Sequence, residues 1–362
     1  MLSYIGANLT HDASICQVTN GSIDWFVEEE RYSGIKHDNY PLTSAIEVDM
    51  SPNTNKNIQT SGLFEPHDKD SLNNIAKSFT KILEKKYAKT VSLNDHEDFR
   101  FVSYDEHHAF HAAAGFYNSG FDRAAVLVVD GMGNMLQEST SYHELESIYN
   151  AQYPNLFRRH HVGVMPTFLE SYDKQLVVGI GAVYQSMSNY FGFGDFGSGK
   201  LMGLSSYGVD DVNIKSFLLN ESTLDSDLFY RTRFGLKFLP YDYVKYPKGI
   251  DNFLDLDDDM KTRFSNLAYR IQKDFETYMS NLILTTLRLT GESNIVLTGG
   301  CALNCVANYE YLKVLPDGVK IFIDPICTDA GTSIGLAKLN YYSDTKSTTK
   351  HKLKTLYLGK QR

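Results

Sequence analysis

"LSYIGANLTHDASICQVTNGSIDWFVEEERYSG", residues 2–34, sets three apolar runs between polar turns. "LSYIGA" opens the stretch and "ASICQVT" follows a polar turn. Asn20-Gly21 is a two-residue hairpin signal, because both residue types accept positive φ. "SIDWFVEEE" then returns, so the spacing predicts three strands. A similar arrangement recurs from residue 123. "RAAVLVVDGMGN" reads as a buried strand ending in Asp-Gly, "LQESTSYH" as a second strand and "ESIYNAQYP" as a third. Two meanders, each opening on a strand that ends in a polar, glycine-bearing turn, predict a duplicated α/β architecture.

Helical patterns lie between and after the copies. "NIAKSFTKILEKKYA" spaces its apolar residues by three and four, and "SNLAYRIQKDFETYMSNLILTTLRLTG" ends in glycine. "NIVLTGG", "ALNCVANYEYLK", "VKIFIDP" and "AGTSIGLAKLNYY" then alternate strand and helix, the sign of βα units. Residues 209–262, with "DLDDDM", read as a polar surface excursion, and "SDTKSTTKHK" as a linker.

The chain of 362 residues is 42% hydrophobic and 22% charged, which fits a soluble globular protein. No apolar run reaches the roughly 18 residues that cross a bilayer, so no membrane is expected. The first residues lack a signal-peptide pattern, and four scattered cysteines do not make a disulfide scaffold. A reducing cytoplasm is the expected setting. A net charge of −9 offers no broad basic footprint for nucleic acid. Cys301 and Cys305 read as small packing residues rather than metal ligands.

The chemistry concentrates in "DEHHAFHAAAGF", residues 105–116. If it is helical, His107 and His111 share a face and can meet one divalent ion, while His108 and His111, three apart, can also approach. The alternative is a polar surface helix. H-E-x-x-H is absent, which argues against a metalloprotease. Asp130 ends a strand and Asp329 opens a helix. Each either shapes its turn or cap, or supplies a carboxylate to a hard or borderline metal. "GDFGSGK", residues 194–200, matches G-x-x-x-x-G-K, but Leu201 replaces the magnesium-binding hydroxyl and a helix precedes it, so it is not a P-loop. Its glycines still let backbone approach a nucleotide, with Lys200 able to neutralise phosphate charge. "TGGCALN" sets two glycines between strand and helix in the same way. His11, Arg31, Lys36 and His37 surround the first meander.

Together these pieces resemble the O-carbamoyltransferases of the nodulation and antibiotic-tailoring type. "THDASICQVTNGSIDWFVEEERYSGIKHD", "DEHHAFHAAAGFYNSGFDRAAVLVVDGMGN", "GKLMGLSSYG" and "NIVLTGGCALNCVAN…IFIDPICTDAGTSIGLA" stand in the family's order. The resemblance implies a duplicated actin-like, sugar-kinase-like ATPase fold with two lobes and a central cleft. The lobes fall at 1–123 and 124–343, the last helix packing back on the first lobe, and 344–362 form a linker-like tail. It implies transfer of a carbamoyl group from carbamoyl-adenylate, made from carbamoyl phosphate and ATP, to an acceptor hydroxyl. His107, His111, Asp130 and Asp329 are implied as ligands of a divalent metal, with iron(II) the usual ion. His11 and Lys36 are implied at the carbamoyl-phosphate part, and Gly199, Lys200, Gly299, Gly300 and Asn304 at the nucleotide. Ser198 departs from the family, which often has an acidic residue there. The relatives usually continue into an adenylate-forming domain, so a separate adenylate-forming partner is expected. The acceptor is a small molecule, a sugar or a hydroxymethylated DNA base. Competing expectations are a non-catalytic nucleotide-binding subunit of a carbamoylating complex and a small-molecule kinase of the same superfold.

Overall fold

The computed structural model describes residues 2–9, 11–39, 41, 43–44, 55–61, 99–101, 107–133, 135–136, 142–166, 176–232 and 235–359. The first meander is β1 (Leu2–Asn8), β2 (Ser14–Thr19) and β3 (Ser22–Glu28), followed by one turn of helix, α1 (Glu30–Ser33). Asn20 and Gly21 both take positive φ, 50° and 83°, as the hairpin signal requires. β4 (Asn55–Ser61) and β5 (Phe99–Phe101) complete a sheet of order β3-β2-β1-β4-β5. The helix read over residues 74–88 lies outside the described residues, as does Asp105.

After α2 (His107–Ser119) the pattern repeats. β6 (Arg123–Val129) opens it, β7 (Met135–Leu136) is a short edge, and β8 (Tyr142–Gln152) and β9 (Leu156–Pro166) form a long antiparallel ribbon. Then come α3 (Ile180–Tyr190), α4 (Ser198–Ser205), and the two-stranded pairs β10 (Leu218–Asn220) with β11 (Thr223–Leu224) and β12 (Phe229–Thr232) with β13 (Gly235–Phe238). α5 (Asp258–Thr290), β14 (Asn294–Thr298), α6 (Cys305–Val314), β15 (Lys320–Ile323) and α7 (Gly331–Thr345) follow. The second sheet runs β9-β8-β6-β14-β15, with β7 also on β8. Each sheet is antiparallel through its first three strands and parallel through the last two, so the duplication is a repeat of strand order and direction.

Three sequence readings are corrected. The second copy's meander is β6, β8 and β9. "ESIYNAQYP" lies in the second strand as far as Gln152 rather than forming the third, and the third is "LFRRHHVGVMP". Its Arg158, Arg159, His160 and His161 are exposed, so an edge strand with a wet face reads as loop. Residues 209–262 carry apolar anchors, with Ile214, Phe217, Leu228, Phe229, Phe238 and Val244 buried in the core beside α3 and α5. "DLDDDM" begins α5: Asp257 caps it by accepting from Met260 N at 2.8 Å, and Asp258 and Asp259 fill its first turn, where the helix dipole favours negative charge.

α2 and α7 lie between the two sheets. α2 is buried almost all round, and α7 packs on β1, β2 and β4 as well as on α2. Small residues permit this. An added Cβ on Gly335 of α7 would sit 1.9 Å from Phe110 O of α2, and one on Gly6 of β1 would sit 2.0 Å from Ser333 O on α7. The two helices therefore meet backbone to backbone, which fixes the ends that carry the site. Among the described residues, no helix is long and apolar enough to cross a membrane.

The stretch read as a linker is docked. Leu353 N donates to Asn118 O at 3.0 Å, and Phe26 N donates to Leu358 O at 2.8 Å. Its anchor is Lys338, 1% exposed, whose Nζ donates to Asn118 Oδ1 at 3.0 Å and His351 O at 3.1 Å. Burial pushes the Lys338 pKa down to about 8 from its ordinary 10.5. Between those values the unfolded chain holds a proton that the folded chain has released, so this group's contribution to stability rises with pH. The stability difference between wild type and Lys338→Met should therefore move in favour of wild type from pH 8 to 10, by about 1.4 kcal/mol per unit at most. Denaturant midpoints across that range test it, and a flat difference would sink it.

Candidate active site

The ends of three elements converge beneath the cleft. α2 supplies His107 and His111, one turn apart on its first turns. Asp130 follows β6, and Asp329 precedes α7. His107 Nε2 lies 3.2 Å from His111 Nε2, 3.2 Å from Asp130 Oδ2 and 3.7 Å from Asp329 Oδ1. His111 Nε2 lies 3.4 Å from Asp329 Oδ1 and 3.9 Å from Asp130 Oδ2. Asp329 does not cap its helix through its side chain, so the capping alternative fails for it. Asp130 Oδ1 does accept from Gly131 N at 2.7 Å, which leaves Oδ2 for the histidines. His108 points away, with Nδ1 2.8 Å from Ser147 Oγ.

These donors suit one cation. Atoms held about 2.0–2.2 Å from an ion stand about 3.0 Å apart at right angles and about 3.4 Å apart at the tetrahedral angle. One atom from each of the four side chains lies within 4.8 Å of the others. The carboxylates draw positive charge onto His111. Burial resists the charge on His111, but the hydrogen bond and charge of Asp329, with Asp130, raise its pKa. Burial alone would raise the Asp130 pKa, yet the His107 hydrogen bond and the neighbouring imidazoles hold it well below the usual carboxylate range.

His11 joins this group from the turn after β1. Its Nε2 is 3.2 Å from Asp329 Oδ2, and its Nδ1 is 3.4 Å from Asp12 Oδ2. Burial disfavours its charge, but Asp329, Asp12 and Asp130 outweigh that and push its pKa up to about 9. Asp12 bridges onward, with Oδ1 2.6 Å from His37 Nδ1. Asp12 and His37 both hold φ of 57°, a left-handed conformation uncommon outside glycine. Strain of this kind clusters at binding sites. Asp12 was missed in the sequence, because an Asp beside a His in a polar turn reads as turn chemistry. Phe196 was missed as well.

A cavity of about 580 Å3 opens over these groups, within the range of small-molecule sites. His11, Asp12, His37, Asp130 and Asp329 line one part, and Gly199, Met202, Gly300, Leu303 and Asn304 another. Asn304 caps α6 by accepting from Ala307 N at 3.0 Å, and its amide pairs with buried Gln272. Three expected residues stand elsewhere. Lys36 and Lys200 are exposed and off the cavity wall. Gly299, with φ of 88°, packs on the end of β6, where an added Cβ would meet Val129 O at 2.4 Å.

The family model described as "Carbamoyltransferase N-terminus" matches residues 60–338. An uncharacterized protein of Synechocystis is 29% identical over 90% of this chain and 55% of its own length. The nodulation protein NolNO of Sinorhizobium fredii is 26% identical over 71% of this chain and 34% of its own. The chain thus spans between a third and just over half the length of these relatives. Full-length HypF in a phosphate- and nucleotide-bound form superposes with a TM-score of 0.53 at 13% identity, covering 94% of this chain and 55% of that one. HypF of T. kodakarensis gives a TM-score of 0.51 at 12% identity over 94% of this chain and 48% of that one. With the doubled sheet order, this likeness shows the duplicated actin-like ATPase fold. The match over most of the chain, across a range that includes His107, His111, Asp130 and Asp329, makes this chain a member of the carbamoyltransferase N-terminus family.

Proposed function

We propose that the chain transfers a carbamoyl group from carbamoyl-adenylate to an acceptor hydroxyl, with a divalent ion, iron(II) on our reading, held by His107, His111, Asp130 and Asp329. One observation carries this reading: His11 Nε2 stands 3.2 Å from Asp329 Oδ2, inside the cavity that Gly199, Gly300 and Asn304 also line. The residue implied at the carbamoyl phosphate and the residues implied at the nucleotide thus share one cleft with the ligand cluster. HypF, solved with phosphate and nucleotide bound, supports nucleotide use by a fold of this kind.

In the reaction, the acceptor oxygen bonds to the carbamoyl carbon. The bond from that carbon to the adenylate phosphate oxygen breaks, and AMP leaves. The acceptor proton leaves to solvent, and His11, kept charged near neutral pH by Asp329 and Asp12 on either side, is placed to donate a hydrogen bond to the departing phosphate oxygen. The bound ion would supply Lewis acidity toward the reacting oxygens. Lys36, exposed on the turn before His37, reaches the phosphate only if the turn folds inward, and there it would offset charge on the leaving group.

Mass spectrometry of candidate acceptors incubated with carbamoyl-adenylate tests the proposal. Wild type is expected to transfer, and His11→Ala to lose most transfer while keeping its metal. Lys36→Met should melt within a few degrees of wild type, since exposed lysines contribute little to stability, yet lose most transfer. Normal transfer by Lys36→Met would remove it from the site. We further propose that the adenylate comes from a separate protein or domain, so that ATP and carbamoyl phosphate alone yield little product.

A further inference from the structure

Phe196 is 53% exposed, yet it lines the cavity. It sits on the loop between α3 and α4, while the rings it touches belong to the first sheet's loops. It stacks on His37 at 4.1 Å with an interplanar angle of 18°, and meets His11 edge-on at 5.4 Å. Both sides of this contact are braced. His37 is fixed by Asp12 at 2.6 Å and by its own amide, which donates to Glu30 Oε2 at 3.2 Å. The Phe196 loop is tied to α3, with Asn189 Nδ2 donating to Asp195 Oδ1 at 2.7 Å and Ser188 Oγ donating to Gly194 O at 2.8 Å. One face of the phenyl ring is therefore covered by an imidazole and much of the rest is bare.

Met132, on the turn after Asp130, is another exposed apolar side chain lining this cavity, at 40%. Exposed apolar groups at a polar mouth mark a place that a ligand covers. With the nucleotide set against Gly199, Gly300 and Asn304, an acceptor reaching His11 and Asp329 passes the remaining rim of His37, Phe196 and Met132.

We propose that Phe196, backed by His37, is the platform on which the ring of the hydroxyl-bearing acceptor stacks, and so selects ring acceptors over open-chain alcohols. This rests on the carbamoyl-transfer reading. A flat ring, unsaturated or with a C–H-rich face, gains dispersion and quadrupole contact with a phenyl face that an open chain cannot match.

The test measures binding without a donor, so it does not depend on transfer. Saturation-transfer NMR is run on the full chain with methyl glucoside, 5-hydroxymethyl-2′-deoxycytidine and glycerol. Wild type should bind at least one of the two ring compounds, and which one tells a saccharide acceptor from a nucleobase acceptor. Phe196→Ala should weaken that binding at least tenfold and Phe196→Tyr restore it, with metal content, melting temperature and the weak glycerol signal unchanged. The acceptor KM should follow the same order in transfer assays. Equal ring binding by wild type and Phe196→Ala, equal loss of glycerol, or no ring binding by wild type would each overturn the platform. Ring binding that depends on Phe196 without any transfer would leave the platform standing and defeat the carbamoyl-transfer reading instead.

Discussion

Replacing His111 by alanine should lower the affinity for a divalent transition metal about a hundredfold, roughly 2.7 kcal/mol. His111 is fully buried, and its Nε2 faces His107 at 3.2 Å and Asp329 at 3.4 Å, so its removal leaves only three of the four donors of the cluster. The alanine variant also leaves a cavity in α2, which by itself destabilises the fold. Asp329→Asn keeps the volume and removes the charge, so it separates ligation from packing. Elemental analysis after equilibration with iron(II) or zinc under reducing conditions reads the result. His160→Ala, an exposed imidazole on β9, should retain wild-type metal content. Wild-type metal content in both His111→Ala and Asp329→Asn would remove the cluster as a metal site.

Gly335→Ala should cost about 3 kcal/mol of stability, the upper end for overpacking. The new methyl would meet Phe110 O at 1.9 Å, and α7 has little room to retreat, because Ser333 O would lie 2.0 Å from a Cβ on Gly6 at its other side. The obstacle is backbone on both sides, so no rotamer change relieves it. Any movement also separates Asp329 from His111, and metal content should fall along with the denaturant midpoint. Gly203→Ala is the contrast. It lies within α4 with nothing within 4 Å of the added Cβ, so alanine should stabilise the helix by about 0.5–1 kcal/mol. A Gly335→Ala midpoint equal to wild type would show that the helices can slide apart at low cost.

The doubled meander was readable because its signals are local: a hairpin dipeptide at Asn20-Gly21 and a buried strand ending at Asp130-Gly131 depend on neighbours in sequence. β9 was not readable, since "RRHH" is set by solvent on an edge and carries no alternation of its own. The apolar anchors between residues 209 and 262 were hidden the same way, as isolated Phe and Leu residues that find one another only in three dimensions. In the site, helical spacing brought out His107 and His111, but neither the pairing with Asp130 and Asp329 nor the choice over His108 followed from spacing. The resemblance supplied both. Asp12, His37 and Phe196 form a chain whose members stand 25 to 184 positions apart in sequence, and only the fold sets them in contact.

The packing of β1 against α7 also bears on how the protein is made. Tyr4, Cys16 and Val18 are fully buried in the cluster that α7 completes with Ile334 and Ala337. Roughly 300 residues separate the end of β3 from the start of α7, and ribosomes add about 5–20 residues each second. The apolar face of the first sheet thus waits tens of seconds for its cover. During that interval the uncovered face would be open to holding chaperones. Ribosome-bound chains stopped before Gly331 should be protease-sensitive in β1–β3, and chains extended past α7 resistant.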